Sequence, residues 1–239
     1  MSQNFELLRQ LETQFPFADV VSEDDAVVAT SAERVNENGF PQELLTLAQT
    51  LFLSGEVNTR RQVVFCGIDR DSASSEICVN LGRILATYSV RPVCLVDANP
   101  GSPGLEKMLR PDQPLSFPDP IRDRCREMAP NLWITEIDMT GSLKQPSLAP
   151  APRVKEQLAD LREKFEFVLI HTAGVNARPE AAVFGQQVDG IVLVLEANVT
   201  RKAAALRAAR VLENMNVRII GSVLNNRTFP IPERLYQKL

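Results

Sequence analysis

The sequence predicts a three-layer α/β fold in which a mostly parallel sheet lies between two layers of helices. Apolar runs of strand length alternate along the chain with longer segments whose apolar residues recur at helical spacing. The strand segments are continuous apolar runs, which is typical of parallel strands covered on both faces. The 239 residues, of which 44% are hydrophobic and 23% charged, suffice for one such domain with a large core.

The first 40 residues precede this pattern and are predicted to form an N-terminal helix followed by an acidic linker. Residues 5–15 place leucine and phenylalanine side chains on one helical stripe. A helix this short is marginal alone, so it is expected to dock either on its own domain or on a partner. Residues 22–39 are acidic and show no period, as expected of a linker or surface arm. The α/β domain is predicted to span residues 41–239.

From residue 41 the predicted elements follow in a regular order. Pro41 in the first turn and Gly55 beyond the end delimit a helix. The elements that follow are strand 62–68, helix 74–88, strand 92–97, helix 121–128, strand 131–137, helix 154–164, strand 166–171, helix 179–187, strand 190–196, helix 200–215 and strand 217–225. Residues 99–120 are rich in proline and are predicted to be a loop.

Composition excludes several classes of protein. The net charge of −4 gives no general attraction to nucleic acid or anionic lipid, so neither is an expected partner. One histidine excludes a histidine-rich metal centre, and no metal site is predicted. The four cysteines lack C-x-x-C spacing and are expected to be free thiols in a reducing cytosol. With no signal peptide and no apolar run of about 18 residues, a cytoplasmic location without direct membrane insertion is expected.

The stretch between strand 62–68 and helix 74–88 lies where nucleotide-binding α/β proteins carry a phosphate loop. Such a loop uses glycines, backbone N–H groups, a helix N-terminus and a lysine to hold phosphate. Here Gly67 ends the strand and Ala73 takes the position of the second glycine. Ser74 takes the position of the lysine, and Ser75 that of the Mg²⁺-binding hydroxyl.

Two interpretations of this loop remain open at the level of the sequence. In the first, Ser72 and Ser74 only cap the helix. In the second, Ser72 and Ser75 belong to a weak nucleotide site. The acidic residues near the loop are Asp69, Asp71 and Glu76. They would place negative charge beside a bound anion, which favours the first interpretation.

Five segments resemble, in order and spacing, the motifs of one protein family. They are PQELLTLAQTLFLSG, ASSEICVNLGRILA, PVCLVDANPGSPGLEK, FEFVLIHTAG and GSVLNNRTFPIPERLY. In these segments the chain is similar to the bacterial tyrosine kinases (BY-kinases) of capsular and exopolysaccharide synthesis. Those kinases are a branch of the MinD-like P-loop ATPases with a deviant Walker motif. The resemblance covers roughly residues 41–239 and implies a P-loop NTPase-like fold of the MinD/BY-kinase type.

Carried onto this sequence, the resemblance implies a catalytic site with several changed positions. Asp97 keeps the acid that the family uses near the Mg²⁺-bound water and the phosphoryl group. Asn99 replaces the second acid of that motif, and His171 stands at the Walker B aspartate. His171 could act as a general base, although a polar residue at the end of a strand is the simpler interpretation. Asn225 either matches a family position that contacts adenine or is a turn residue.

The resemblance also implies changes at the family's subunit contacts and phosphorylation sites. Of the family's Glu-x-x-Arg-x-x-Arg pattern, Glu43 remains, whereas Thr46 and Gln49 replace the arginines. The family's ring is therefore in doubt, and a homo-oligomer stays open. Tyr88 and Tyr236 are the only tyrosines, so the C-terminal tyrosine cluster of the kinases does not exist here.

These changes favour a catalytically degenerate, pseudokinase-like adaptor or regulator of exopolysaccharide or capsule synthesis. Its partner would be a membrane polysaccharide co-polymerase or an active family kinase, which could recruit it to the inner face of the membrane. Two alternatives stay open: an active tyrosine kinase or ATPase, and a weak ATP/ADP-binding switch with or without Mg²⁺. The residues of that vestigial site would be Gly67, Ser72, Ser74, Ser75, Asp97 and Asn225. A ParA-like role on DNA is disfavoured because the chain is acidic.

Overall fold

In the computed structural model, the chain is described at residues 26–29, 39–53, 60–69, 74–99, 105–109, 125–137 and 152–226. The helices are α1 (Gln42–Ala48), α2 (Ser74–Tyr88), α3 (Leu105–Leu109), α4 (Pro152–Lys164), α5 (Glu180–Gly185) and α6 (Lys202–Asn214). The strands are β1 (Ala26–Ala29), β2 (Gln62–Gly67), β3 (Val93–Ala98), β4 (Arg126–Ala129), β5 (Leu132–Glu136), β6 (Phe167–Thr172), β7 (Gly190–Glu196) and β8 (Ile219–Asn225). A π-helical turn, Gln49–Leu53, continues α1.

The strands form one eight-stranded sheet in the order β1-β8-β7-β2-β6-β3-β5-β4. Every neighbouring pair is parallel except β4 and β5, which are antiparallel. Strands β2 and β6, at the centre, are buried along their whole length. The predicted three-layer fold with a mostly parallel sheet is therefore confirmed.

Two hydrophobic clusters lie on opposite faces of the sheet because successive strand residues point to opposite sides. Val64 and Cys66 of β2 belong to the cluster that contains the buried residues of α4, α5 and α6. Val63 and Phe65 belong to the cluster that contains those of α1, α2 and α3. Both layers of helices thus pack on the strands that carry the candidate site.

Helix α2 lies very close to the sheet. A Cβ atom added at Gly82 would meet Leu95 Cδ2 of β3 at 2.8 Å, which is shorter than a van der Waals contact. Only glycine at this position lets the helix approach β3 so closely.

The predicted helix 121–128 is wrong where the structure describes it, because Arg126–Ala129 form strand β4. β4 and β5 form a tight antiparallel hairpin through a turn at Pro130 and Asn131. Asn131 has a φ of 64°, a left-handed conformation that asparagine tolerates. Its side-chain amide donates to the carbonyl oxygens of Ala86 and Ser89 at 3.1 and 3.0 Å, which fixes the turn against the end of α2. Pairing with β5 therefore outweighs the local helical pattern.

The assignment of residues 22–39 to an irregular linker is wrong at Ala26–Ala29. These residues form strand β1, which pairs in parallel with β8 in the register Ala26 to Gly221. Backbone hydrogen bonding to β8 makes this short segment a strand, although its local sequence does not predict one. The domain boundary at residue 40 stays a prediction, and the predicted helix 5–15 lies outside the described residues.

The remaining elements agree with the sequence to within a few residues. Helix α1 begins after Pro41, and α2 and β7 have the predicted bounds. Helix α3 is an addition, since it lies within the proline-rich segment that was predicted to be a loop. None of the helices in the described ranges is both long and apolar enough to cross a membrane.

Candidate functional site

The carboxyl ends of the parallel strands meet at one edge of the sheet, where α/β proteins of this class bind ligands. Gly67 ends β2, and Asp97 and His171 lie opposite each other near the ends of β3 and β6. Asn225 ends β8, which is four strand spacings, or about 19 Å, away from β3. The fold thus brings Asp97 and His171 together and leaves Asn225 on the far side of β2.

The carboxylate of Asp97 accepts two backbone hydrogen bonds from the segment that follows β3. Its Oδ1 accepts from the N–H of Asn99 at 3.1 Å, and its Oδ2 accepts from the N–H of Leu105 at 2.8 Å. Leu105 is the first residue of α3. A carboxylate in this position satisfies a backbone donor that a helix leaves unpaired in its first turn, and it also interacts favourably with the helix dipole.

The side chain of His171 also contacts Asp97. Its Nδ1 lies 3.6 Å from Asp97 Oδ1, and the two side chains are 0% and 9% exposed. On its other side His171 is paired in register with Phe65 of β2. At 3.6 Å the contact is longer than a good hydrogen bond. The interpretation of His171 as a polar residue at the end of a strand stays a prediction.

The environment keeps Asp97 ionised at neutral pH. Burial by itself would raise the pKa of this carboxyl. The contact from His171 and the backbone N–H groups of Leu105 and Asn99 outweigh burial, so the pKa of Asp97 is below its ordinary value. The negative charge of Asp97 is therefore stabilised by His171 and by the two backbone N–H groups.

The chain that leaves β2 is paired with the turn that follows β6. The N–H of Val175 donates to Gly67 O at 3.1 Å, and the N–H of Asn176 donates to Ile68 O at 2.9 Å. The side-chain amide of Asn176 donates to Asp69 Oδ1 at 2.9 Å and to Ala204 O of α6 at 3.0 Å. Asn176 thus joins the start of the phosphate-loop segment to α6. This role of Asn176 could not be predicted from the sequence, because an asparagine in a turn carries no signal of such long-range bonds.

The other predicted site residues have different positions. Ser74 is the first residue of α2 and is fully buried, whereas Ser75 is partly exposed. Ser72 lies outside the described residues. Asn225 is partly exposed, and its carbonyl oxygen accepts from the N–H of Ala197 at 2.9 Å. The next residue, Asn226, has a φ of 56°, so the chain turns directly after β8. A contact between Asn225 and adenine stays a prediction.

The donors that the described residues supply at this edge do not fit the Mg²⁺ that the family resemblance implies. Mg²⁺ binds oxygen ligands in near-octahedral geometry and retains several waters. Here an imidazole stands at the Walker B position, and each oxygen of Asp97 already accepts a backbone hydrogen bond. Within the described ranges, no group of three or more histidine, cysteine, aspartate or glutamate side chains could hold a metal ion.

No family model and no curated protein matches the sequence of the chain. Solved structures do match. The chimerical protein CapA2B2 is 17% identical with a TM-score of 0.69, covering 92% of this chain and 99% of that chain. The kinase domain of the Escherichia coli tyrosine kinase ETK is 16% identical with a TM-score of 0.63, covering 80% and 78%. The MinD cell division protein of Aquifex aeolicus is 16% identical with a TM-score of 0.52, covering 74% and 72%.

Identities this low show a common fold and leave activity open. The matches join a tyrosine-kinase domain and a MinD protein, which is the combination that the sequence motifs indicate. The chain has the P-loop NTPase-like fold of the BY-kinase and MinD type.

Proposed function

We propose that this chain is a catalytically degenerate relative of the bacterial tyrosine kinases that serves as an adaptor or regulator in exopolysaccharide or capsule synthesis. The likeness to the ETK kinase domain supports the kinase ancestry. The hydrogen bonds of Asp97 and its contact with His171 support the loss of catalysis. In this proposal the fold is retained for binding a partner, and phosphoryl transfer is absent.

The observation that carries the proposal is the engagement of Asp97. In phosphoryl transfer, metal ions and cationic side chains neutralise the charge that develops on the phosphate. Here Asp97 binds the backbone of its own following segment and contacts His171. Ser74, which stands at the position of the phosphate-loop lysine, is fully buried and carries no charge.

The size of the expected catalytic loss follows from related sites. Removal of a single preorganised donor from an active site costs about 3–4 kcal/mol, or roughly 10²–10³ in rate. Replacement of a lysine by Ser74 and of an acid by His171 affects two groups at once. If the two effects are independent, the combined loss should be about 6–8 kcal/mol, or roughly 10⁴–10⁶ in rate.

The proposed partner is the cytoplasmic part of a membrane polysaccharide co-polymerase or an active kinase of the family. Binding to either would recruit the chain to the inner face of the membrane. Affinity capture of the tagged full chain from its native host tests this, with the recovered proteins identified by mass spectrometry. Enrichment of a co-polymerase or a kinase over a tag-only control is expected, and enrichment of neither contradicts the adaptor role.

The enzymatic side of the proposal is tested with the purified full chain. We expect no ATP hydrolysis and no tyrosine phosphorylation above the buffer background, with Mg²⁺ or Mn²⁺ present. Asp97→Ala is the matched control, because it removes the one retained catalytic acid. Turnover in the native chain that disappears in Asp97→Ala would establish an active enzyme and overturn the proposal.

A second candidate function, a weak ATP/ADP-binding switch, is favoured by the geometry at α2. This 15-residue helix begins at Ser74, directly beyond the carboxyl end of β2. Backbone N–H groups at a helix N-terminus bind anions whatever the side chains are. Ligand at a hundred times its Kd should add about 2.7 kcal/mol to the free energy of unfolding and raise Tm by about 5–10 °C. An unchanged Tm in millimolar ATP or ADP, with and without Mg²⁺, would remove this candidate.

A further inference from the structure

The Asp97 side chain connects three elements of the fold at the carboxyl edge of the sheet. It belongs to β3, contacts His171 of β6, and accepts the N–H of Leu105 at the start of α3.

We propose that Asp97 and His171 form a metal-independent latch, in which Asp97 positions α3 and His171 stands beside the carboxylate in place of a divalent cation. The site accordingly takes no Mg²⁺. Asp97 is then a positioning residue for α3. The inference concerns the same site as the proposed function, but it does not depend on any partner.

Part of the hydrogen-bonding capacity of Asp97 is already used by groups of the chain. A carboxylate offers about four acceptor positions. Two are taken by the N–H groups of Asn99 and Leu105, and His171 contacts Oδ1 in addition. A metal ligand would have to give up these bonds or share its remaining lone pairs with them. The low pKa of Asp97 agrees with a carboxylate whose charge is already compensated.

Access of a hydrated Mg²⁺ ion to Asp97 is restricted. The Asp97 side chain is 9% exposed and that of His171 is 0% exposed. Mg²⁺ gives up its waters reluctantly and needs room for those that it keeps. With the imidazole in this place, a hydrated ion has little room beside Asp97, and the imidazole adds no oxygen ligand.

Helix α3 depends on contacts with the rest of the domain for its stability. The helix has only five residues, too few to be stable alone. Its Glu106 makes an exposed, bidentate ion pair with Arg126 of β4, and Arg83 donates to Met108 O at 3.3 Å. An exposed ion pair contributes about 0–1 kcal/mol, with bidentate geometry at the favourable end of that range. The more buried bond from Leu105 N to Asp97, together with the buried side chains of Leu105 and Leu109, therefore has the larger share in holding the helix.

The absence of metal binding is tested by thermal unfolding of the full chain in millimolar MgCl2 against NaCl of equal ionic strength. We expect equal Tm values for the native chain. His171→Asp places a second carboxylate beside Asp97; it should lower Tm, and Mg²⁺ should restore about 5 °C or more. His171→Asn, the matched neutral control, should not respond to Mg²⁺. A Mg²⁺-dependent rise of Tm in the native chain, or no response of folded His171→Asp, would overturn the latch.

If His171→Asp does not fold, Mn²⁺ binding to the native chain, measured by electron paramagnetic resonance, takes its place. No bound Mn²⁺ is expected at millimolar concentration. One bound Mn²⁺ per chain that Asp97→Asn removes would overturn the proposal. Neither result bears on the capture of a polysaccharide-export partner, so failure of the latch and failure of the adaptor role are distinguishable.

The positioning role has its own readout in amide hydrogen exchange. Asp97→Asn should make exchange at residues 105–109 about tenfold faster, as expected for a lost hydrogen bond to a charged acceptor. Asp189→Asn is the control, because Asp189 accepts backbone bonds at the opposite edge of the sheet. It should leave the exchange of α3 unchanged relative to the rest of the domain. Faster exchange spread evenly over the domain in Asp97→Asn would contradict the positioning role.

Discussion

Asp189 and Arg162 form a 2.5 Å ion pair at the edge of the sheet where the parallel strands begin. The other oxygen of Asp189 accepts the backbone N–H groups of Arg61 and Gln62 at 2.7 and 2.8 Å. Arg61 in turn donates to the carbonyl oxygens of Arg162, Phe165 and Glu166. One carboxylate therefore ties the beginning of β2 to the end of α4, on the side of the sheet opposite to Asp97.

This arrangement predicts how stability depends on pH. Burial would raise the pKa of Asp189, but the bond from Arg162 and those from Gln62 and Arg61 lower it below its ordinary value. A lowered pKa in the folded state gives stability that is present above the unfolded value of about 3.9 and is lost as pH falls through the folded pKa. Asp189→Asn should lower the free energy of unfolding by about 1.5–3 kcal/mol at neutral pH, with the difference shrinking below about pH 4.

Urea denaturation over a pH series measures this difference. Asp160→Asn, at an exposed position of α4, is the matched control and should change the free energy of unfolding by less than about 0.5 kcal/mol at every pH. A loss in Asp189→Asn that stays constant through the acid range would contradict the prediction.

Asn176 should be sensitive to the charge of its side chain. Its amide donates to Asp69 Oδ1 and to Ala204 O, both of which are acceptors. Asn176→Asp replaces the donor by a carboxylate facing these oxygens, and should destabilise the chain by about 2–3 kcal/mol at neutral pH. Asn176→Ala, which adds no charge, should cost less. Chemical denaturation compares the two variants, and an equal or larger loss in Asn176→Ala would be inconsistent with the observed bonds.

Gly82 should reject even a methyl group. In Gly82→Ala the new Cβ would lie 2.8 Å from Leu95 Cδ2, so the Leu95 side chain, α2 or β3 must shift. We expect a loss of about 1–3 kcal/mol, despite the better helix propensity of alanine. Leu95→Val shortens the opposing side chain, and the double variant should lose less than the sum of the single variants in a double-mutant cycle. Strict additivity would mean that the close approach is not the cause.

Asn131 combines a backbone and a side-chain role that two substitutions separate. Asn131→Gly keeps the left-handed conformation but removes the bonds to Ala86 O and Ser89 O. Asn131→Ala removes those bonds and also strains the backbone. Both should lower the urea midpoint, and Ala should be the worse by about 1 kcal/mol. Equal stability of the two variants would show that the conformation at this position has no cost.

The elements that the sequence predicts well are those whose local pattern and tertiary setting agree. β7 is a run of apolar residues buried on both faces, and α2 carries a strong helical stripe with Gly82 at its contact. The errors fall where pairing overrides the pattern. β1 is four residues in an acidic segment, and β4 is a charged segment that becomes a strand only beside β5.

The candidate site was predictable only in part. The motifs place Asp97 and His171 at strand ends, but the register that sets them face to face is a property of the assembled sheet. The bond from Leu105 N to Asp97 depends on α3, which lies in a segment too rich in proline to predict a helix. The contacts of Asn176 with Asp69 and Ala204 join residues far apart in sequence. No local pattern encodes such contacts.

The antiparallel strand β4 has a consequence for how this molecule meets its neighbours. It is the last strand of the described sheet on that side, its Arg126 and Glu127 are exposed, and its register shifts between Glu127 and Ala129. A charged, irregular border discourages another chain from extending the sheet by backbone pairing, a route to aggregation. Self-association through strand addition is thus disfavoured at this border of the described sheet.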